Sequence, residues 1–444
     1  MAHLRRVEKA LAHRWPESDI QPSLELITAL TDLLGDPQRA YPVIHVTGTN
    51  GKTSSARMID SLLQAFGLRV GRFTSPHLES ITERITVNGV PLSPDRFAAA
   101  YDEVAPYAAL VDDRYDHPVS FFELITAMAY ATFAETPVDV AVVEVGLGGS
   151  WDATNVADGQ VALVTPIALD HTRLLGSTIG EIATEKAGIV KPNSTLVMAA
   201  QPPDAAEVLL RRAILVDAAV AREGAEFAVR SRAVAVGGQL LTLQGLGGVY
   251  EEVFLPLFGA HQAGNAAGAL AAVEAFFGAG GRRGQIDPGV VRQGFAQVSS
   301  PGRLEPVRSA PTVLVDAAHN PAGMAATAAA VADAFDFRRL VAVIAMLSEK
   351  DVRGMLEVLE PAVDAVVVSE NSSPRRLSAD ALAAIAVEVF GADRVEVSPR
   401  LDDALDSAIR LAEEGAQAGP LSGVGVLVTG SVVTAGEARA LLRR

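Results

Sequence analysis

The sequence predicts an α/β fold in two domains: a larger one with a mostly parallel sheet, and a smaller, open doubly wound C-terminal one. Three observations predict it. Continuous apolar runs of strand length recur, among them 138–144, 161–166 and 195–199, as expected of strands buried on both faces of a parallel sheet. Helical patterns separate such runs, which calls for right-handed crossovers. A linker signal, Ser299-Ser300-Pro301-Gly302, interrupts this alternation, and a second alternation follows it. A chain of 444 residues exceeds one ordinary core, so the boundary is placed near 300, giving domains 1–299 and 300–444.

The chain opens with amphipathic helices at 3–14 and 23–35. The first strand, from Val43, runs into Gly48-Thr49-Asn50-Gly51-Lys52-Thr53-Ser54, and a helical pattern begins there. Strand, Gly-rich turn and helix in that order are the context of a phosphate-binding loop. Amides at a helix start point at an anion, and the helix dipole favours it. Gly48 and Gly51 allow close backbone approach, Lys52 would reach terminal phosphates, and a hydroxyl just after it would bind Mg2+. The spacing is a shortened variant, since Val46 stands where a further glycine is usual. The larger domain therefore reads as a P-loop mononucleotide-binding domain.

A second strand, 69–74, ends at Ser75-Pro76-His77, and Ile85 to Val90 is a hairpin turning at Asn88-Gly89. Helices follow at 94–110 and 121–134. Strand 138–144 ends in Glu144, and a carboxylate at that sheet edge beside a phosphate loop is where a Mg2+ ligand belongs. The ordinary alternative is a solvated strand end. The glycine-rich run after it, through Asn155, suits a mobile loop close to substrate. Strand 161–165 leads to Asp170-His171, where the imidazole is either a metal ligand or a hydrogen-bonded structural residue. Helix 178–187 carries Glu185-Lys186. Lys186 is either a cation reaching solvent or a desolvated amine able to take up CO2 as an anionic carbamate.

Antiparallel hairpins fill 226–257, and helices follow at 261–277, which carries Asn265, and near 288–297. In the second domain, strands are read at 312–316, 339–346, 363–368 and 424–429, with helices at 321–335, 352–359, 378–390, 401–415 and 434–443. Arg303 sits at the hinge. Asp316 ends a strand, where an acid accepts ribose hydroxyls or caps the next helix.

A net charge of −16 argues against nucleic acid and against anionic membranes as partners. No apolar run is long enough to span a bilayer, Met1 to Arg6 lacks a signal-peptide core, and there is no cysteine. A cytoplasmic protein, acting as a monomer, is expected. Lysine occurs only at 9, 52, 186, 191 and 350 in an arginine-rich chain, so Lys52 and Lys186 stand out as positions that need an amine.

Over essentially its whole length the chain resembles the folylpolyglutamate synthase/dihydrofolate synthase family of Mur-ligase-like, ATP-dependent amide ligases. The resemblance is carried by Gly48 to Ser54, Thr74-Ser75-Pro76-His77-Leu78, Glu83-Arg84-Ile85, Phe121-Phe122-Glu123, Glu144 to Gly149, Asp152-Ala153-Thr154-Asn155, Asp170-His171 and Glu185 to Ile189. It continues through His261-Gln262 with Asn265, Pro301-Gly302-Arg303, Asp316 with His319-Asn320-Pro321, and Thr429-Gly430-Ser431. It implies that Gly48, Thr49, Asn50, Gly51, Lys52, Thr53 and Ser54 bind ATP phosphates, with Asn265, Arg303, Asp316 and His319 holding the rest of the nucleotide. It implies two Mg2+ sites: Ser75 and Glu144 with a hydroxyl of Thr53 or Ser54, and Glu144, His171 and carbamylated Lys186. A monovalent cation is a further expectation. Lys52, Glu144, His171 and Lys186 form the implied catalytic set, and Gln21, Pro22, Ser23, Ser120, Phe121, Phe122, Glu123, Trp151, Asp152 and Ala153 the pterin and folate site.

The implied substrates are ATP, L-glutamate, dihydropteroate and folates, joined through an acyl phosphate. Three departures stand out: Ser150 where relatives carry Arg, Ala317 where they carry Gly, and Glu349-Lys350-Asp351 where they read Asp-Lys-Asp. Ser150 removes a cation from a substrate-proximal loop. A Mur ligase of cell-wall synthesis would carry a further domain before the P-loop, whereas about 40 residues precede it here. A guanine-reading switch protein would need an Asn/Thr-Lys-x-Asp element, which is missing. A non-catalytic homologue would not need Lys52, Glu144, His171 and Lys186 together.

Overall fold

The computed structural model describes residues 2–16, 21–279, 284–414 and 423–443. The chain divides into two compact units, the first comprising Met1–Arg232, Leu240–Leu255 and Ala263–Val298, the second Ala233–Gln239, Pro256–Gln262 and Ser299–Arg444. Among the described residues no helix is long and apolar enough to cross a membrane.

The first unit is built on β1 (Val43–Thr47), β2 (Val70–Phe73), β3 (Ile85–Val87), β4 (Val90–Pro91), β5 (Val140–Glu144), β6 (Gly159–Val164), β7 (Thr195–Met198) and β8 (Ala219–Arg222). Among the described residues these form one sheet in the order β4-β3-β2-β5-β1-β6-β7-β8. Pairing is parallel from β2 to β8, and the β3–β4 hairpin adds antiparallel strands at one edge. Asn88 and Gly89 take left-handed φ of 50° and 73°, the requirement of the tight turn read in the sequence. β1 is central and wholly buried, which is why Val43, Ile44 and Val46 are apolar and β-branched, with His45 and Thr47 as its buried polar residues.

Helices α1 (Ala2–Ala12), α2 (Glu25–Leu33), α4 (Pro94–Asp112) and α5 (Phe121–Glu135) share an apolar core with the sheet. Helix α3 (Lys52–Ala65) follows β1 directly, and its Asp60 pairs with Arg72 of β2 in a buried ion pair. α6 (Thr172–Leu175), α7 (Ile179–Lys186) and α8 (Pro203–Leu215) pack near β6 to β8. β9 (Ala228–Ala235), β10 (Gly238–Gln244) and β11 (Val249–Leu255) make a separate three-stranded sheet, followed by α9 (Ala260–Phe277) and α10 (Pro288–Ala296). Buried Glu274 of α9 fastens the β10–β11 turn, accepting from the amides of Leu246 and Gly247 and from the Tyr250 hydroxyl.

The second unit holds a six-stranded sheet among the described residues. It contains β12 (Glu305–Ser309), β13 (Thr312–Val315), β14 (Arg339–Ile344), β15 (Ala365–Val368), β16 (Val395–Val397) and β17 (Val424–Thr429), in the order β12-β13-β17-β14-β15-β16. All neighbours are parallel except the β12–β13 pair. α11 (Pro321–Ala334), α12 (Val352–Leu359), α13 (Ala379–Phe390), α14 (Leu401–Glu414) and α15 (Val432–Leu442) complete the open α/β layer.

Among the described residues, α6, α8, β8, β12 and β16 have no counterpart in the sequence reading. β8, β12 and β16 are edge strands whose residues are mostly half-buried or exposed, so no continuous apolar run marks them.

Candidate active site

Turning from β1 into α3 requires Gly48 at φ 140° and Gly51 at φ 90°. Both also lack room for a side chain. A Cβ on Gly48 would stand 1.9 Å from Thr165 Oγ1, and one on Gly51 would stand 2.4 Å from Asn265 Oδ1. The α9 residue Asn265 is therefore packed onto the loop. The amides of Thr49 and Asn50 donate to the Pro166 carbonyl at 3.1 and 3.5 Å, and the Thr49 hydroxyl bridges the Ala168 amide and carbonyl at 3.0 Å each. The first-turn amides of α3, which a helix leaves without an intrahelical acceptor, are thus the candidates for an anion.

Two lysines converge on this loop. Lys52 Nζ donates to the carbonyls of Gly48 and Thr49, both at 3.1 Å, and Lys186 Nζ donates to the same Gly48 carbonyl at 2.8 Å. Lys186 is 3% exposed, which rules out the surface-cation alternative. Burial, helped by the charge of Lys52, lowers its pKa from 10.5 to about 7; Asp170, Asp152 and Glu185 oppose that shift.

Glu144 is 1% exposed, so it is not a solvated strand end. One carboxylate oxygen accepts the Thr53 hydroxyl at 2.8 Å, and the other the Ser75 amide at 3.3 Å. Thr53 thus supplies the hydroxyl bonded to the carboxylate, while Ser54 is buried on another face of α3. A buried carboxylate with a hydroxyl and a serine beside it is a hard-oxygen donor set, the chemistry Mg2+ takes. Among the described residues no three His, Asp or Glu side chains gather as a metal cluster. His171 follows Asp170 on the segment pinned by Thr49, in left-handed backbone at φ 50°, with two-fifths of its side chain exposed.

The glycine-rich run after Glu144 is fastened rather than loose, correcting the expectation of a mobile loop. Thr47 Oγ1 donates to the Gly148 carbonyl at 2.8 Å. The Ser150 amide and hydroxyl donate to the Glu185 carbonyl at 2.9 and 3.0 Å, and the Trp151 amide to the Glu185 carboxylate at 3.2 Å. Asn155 Nδ2 reaches the carbonyls of Ser150 and Gly188 at 3.0 and 3.3 Å. Helix α7, which ends at Lys186, is held by the loop at its carbonyl end. Ser150 thus faces that helix end, and Gly188 has no room for a Cβ beside it.

The remaining expected residues fall as follows. Ser120 and Glu123 form a capping box at the start of α5. Phe121 lies under the Arg84 guanidinium, 5.0 Å from ring centre, and Phe122 packs on Gly146 and Phe73. Asp152 and Ala153 are buried and Trp151 half-buried. Gln21, Pro22 and Ser23 are exposed, and Ser23 Oγ accepts the Glu25 amide at 3.0 Å. In the second unit, Asp316 accepts from the amides of Leu304 and Ala318 and from the Thr327 hydroxyl, at 2.9, 2.9 and 2.7 Å. It does not cap α11; Asn320 does, accepting from Gly323. His319 Nδ1 lies 3.0 Å from the Ala317 carbonyl, and Arg303 is half-buried. Sequence reasoning missed Thr165, and it named Glu185 only as part of a motif, without its contacts to Ser150 and Trp151. Each matters through a contact set by strand order or helix packing, which no local motif records.

Comparison with known proteins identifies the family and the fold. Residues 46–273 match the Mur ligase middle domain, and 302–432 the Mur ligase glutamate ligase domain. The chain is 54% identical over 462 residues to a dihydrofolate synthase/folylpolyglutamate synthase of Mycobacterium tuberculosis, covering 100% of this chain and 95% of that one. Among solved structures, Mycobacterium tuberculosis folylpolyglutamate synthase complexed with ADP superposes with a TM-score of 0.95 at 54% identity, covering 100% of this chain and 99% of that one. The Escherichia coli enzyme in complex with DHPP and ADP superposes with a TM-score of 0.84 at 31% identity, covering 99% and 97%. The chain belongs to the dihydrofolate synthase/folylpolyglutamate synthase family and is an ATP-dependent ligase of the Mur-ligase type.

Proposed function

We propose that this enzyme joins L-glutamate to dihydropteroate, giving dihydrofolate, and to the γ-carboxylate of folates, extending a polyglutamate tail. The observation that carries the reading is the convergence of Lys52, Lys186, Thr53 and Glu144 on one phosphate loop. Relatives whose names carry both activities, and the DHPP and ADP in one of them, support it.

A carboxylate is a poor acyl donor, because its leaving group would be oxide. In the first step an acceptor carboxylate oxygen attacks the γ-phosphorus of ATP, the bond to the β-phosphate oxygen breaks, and ADP leaves. The glutamate nitrogen, as a neutral amine, then attacks the acyl carbon, and the carbon–oxygen bond to phosphate breaks. Two anions meet in the first step, so the site must place positive charge there. Lys52 and the first-turn amides of α3 are assigned that task, and Asn265 is assigned to the nucleotide from α9. Arg303, Asp316 and His319 keep a nucleotide role as proposals.

Mg2+ would supply neutralisation of phosphate charge when bound. Ser75, Glu144 and Thr53 or Ser54 would hold one ion. Glu144, His171 and Lys186 as its carbamate would hold a second. The amine fits that modification: it is buried, hydrogen-bonded to a single carbonyl, and lowered to about 7. Ser120–Glu123 and Trp151–Ala153 are assigned to the acceptor, with Gln21–Ser23 beside them.

Phosphate release in the presence of ATP, glutamate and each acceptor tests the reading. Release is expected with dihydropteroate and with tetrahydrofolate. Release with tetrahydrofolate alone would reduce the enzyme to a single activity, and release with neither would overturn the assignment.

A further inference from the structure

His45 is a buried titratable group that the mechanism above does not use. It sits in the middle of β1, three residues before Gly48 of the phosphate loop, and is 0% exposed. An aliphatic side chain would suit that strand, since its neighbours are Ile44 and Val46. The imidazole instead makes one hydrogen bond, Nε2 to Thr154 Oγ1 at 2.9 Å, while its Nδ1 is buried with no partner among the described residues. A buried ring nitrogen left bare is a cost, so the bond made by the other nitrogen needs a reason.

Proton accounting fixes the direction of that bond. Asp152 is buried, and both its oxygens accept backbone amides: Leu147 at 2.8 Å on one, Thr154 at 3.0 Å on the other. The second oxygen also accepts the Thr154 hydroxyl at 2.5 Å. Burial raises the Asp152 pKa, and the amides and hydroxyl it accepts favour the carboxylate; with that carboxylate ionised, the single hydroxyl proton is spent on it and Thr154 Oγ1 accepts from His45. His45 must carry its proton on Nε2 and leave Nδ1 bare. Burial, with Lys191 adding to it, holds the imidazole neutral, with a pKa of about 3, so this tautomer persists over the working range. The Thr154 carbonyl is held as well, by the Tyr130 hydroxyl of α5 at 2.7 Å.

We propose that His45 is a positioning residue: through Thr154 and Asp152 it ties the strand beneath the phosphate loop to the Leu147–Thr154 loop that receives the acceptor. This rests on assigning Trp151–Ala153 to the acceptor. A buried polar chain of this kind has one geometry, because each donor has one acceptor. It sets the loop's shape from the rigid centre of the sheet, without touching ATP.

The test uses the full-length enzyme and steady-state kinetics with ATP and tetrahydrofolate varied separately. His45→Phe keeps the ring but deletes the donor, and Thr154→Val keeps the shape but deletes the hydroxyl. Each is expected to raise the folate KM about tenfold, the equivalent of one buried hydrogen bond, with the ATP KM within about twofold of the parent. His45→Gln and Thr154→Ser restore the donor and the hydroxyl, and are expected to return the folate KM toward the parent value. Unchanged folate KM in both deleting variants overturns the proposal. So does an equal rise in both KM values, or a fall in melting temperature with no KM split. Trp151→Ala tests the underlying assignment independently. An unaltered folate KM there means that the loop does not receive the acceptor, whatever the His45 variants do.

Discussion

At the scale of single residues, the site turns on two amines sharing the Gly48 carbonyl. The pKa of Lys186, lowered to about 7, makes part of that population neutral near neutrality, whereas an ordinary lysine would be charged. Only the neutral amine adds CO2. Ligase activity and 13C-bicarbonate incorporation should therefore both rise as pH passes upward through about 7, and Lys186→Arg should lose both. Stability carries the matching sign. Because the folded pKa lies below the unfolded value of 10.5, the unfolded chain binds more protons between the two, and the penalty of burying this amine is complete below about 7. Lys186→Met should raise the melting temperature most at low pH, with the gain shrinking toward the ordinary lysine range. A gain independent of pH would argue that packing, not charge, limits the site. Beside the lysines, Thr53 and Glu144 are bonded to each other. Thr53→Ala and Glu144→Gln should each lower kcat by roughly 10²-fold, as expected for loss of preorganised electrostatics, whereas Thr53→Ser should retain most activity in a phosphate-release assay.

At the scale of elements, the β1–loop–α3 unit was legible because the requirement is local: glycine where φ is positive, then lysine and a hydroxyl at a helix start. Glu144 was legible for the same reason, as the last residue of an apolar strand. What was not legible is why Gly51 must lack a side chain. The answer is Asn265, more than two hundred positions away, and a sequence scan does not see that meeting. Gly51→Ala should weaken ADP binding at least about tenfold by calorimetry, since the methyl group would push Asn265 away and the backbone would be strained at φ 90°. Unaltered affinity would mean that the loop relaxes without loss. The same limit hid the clasp between Ser150, Asn155 and the end of α7. Glycine-rich composition suggested mobility, but here Gly148 and Gly149 permit contact with Glu185 and Lys186 instead. Short, half-exposed β8, β12 and β16 lacked the continuous apolar signal by which their neighbours were read.

At the scale of the whole molecule, each of the two units has its own apolar core. The net charge of −16 sets how the surface meets other polyanions. The protein should pass a heparin column unretained and bind an anion exchanger, while still binding ATP. Retention on heparin would reveal a basic patch that the net figure conceals. A final consequence follows from how the open sheets end. The first stops at β4, two residues closed by Pro91, and at four-residue β8; the second stops at β12, whose pairing slips beside Pro306, and at three-residue β16. Proline offers no amide to a neighbouring ladder, and a strand of two or three residues is a poor template. Strand addition is disfavoured at β4, β12 and β16, so growth by stacking under crowding should begin instead at β8 or at β9 and β11, the longer outer strands of the three-stranded sheet.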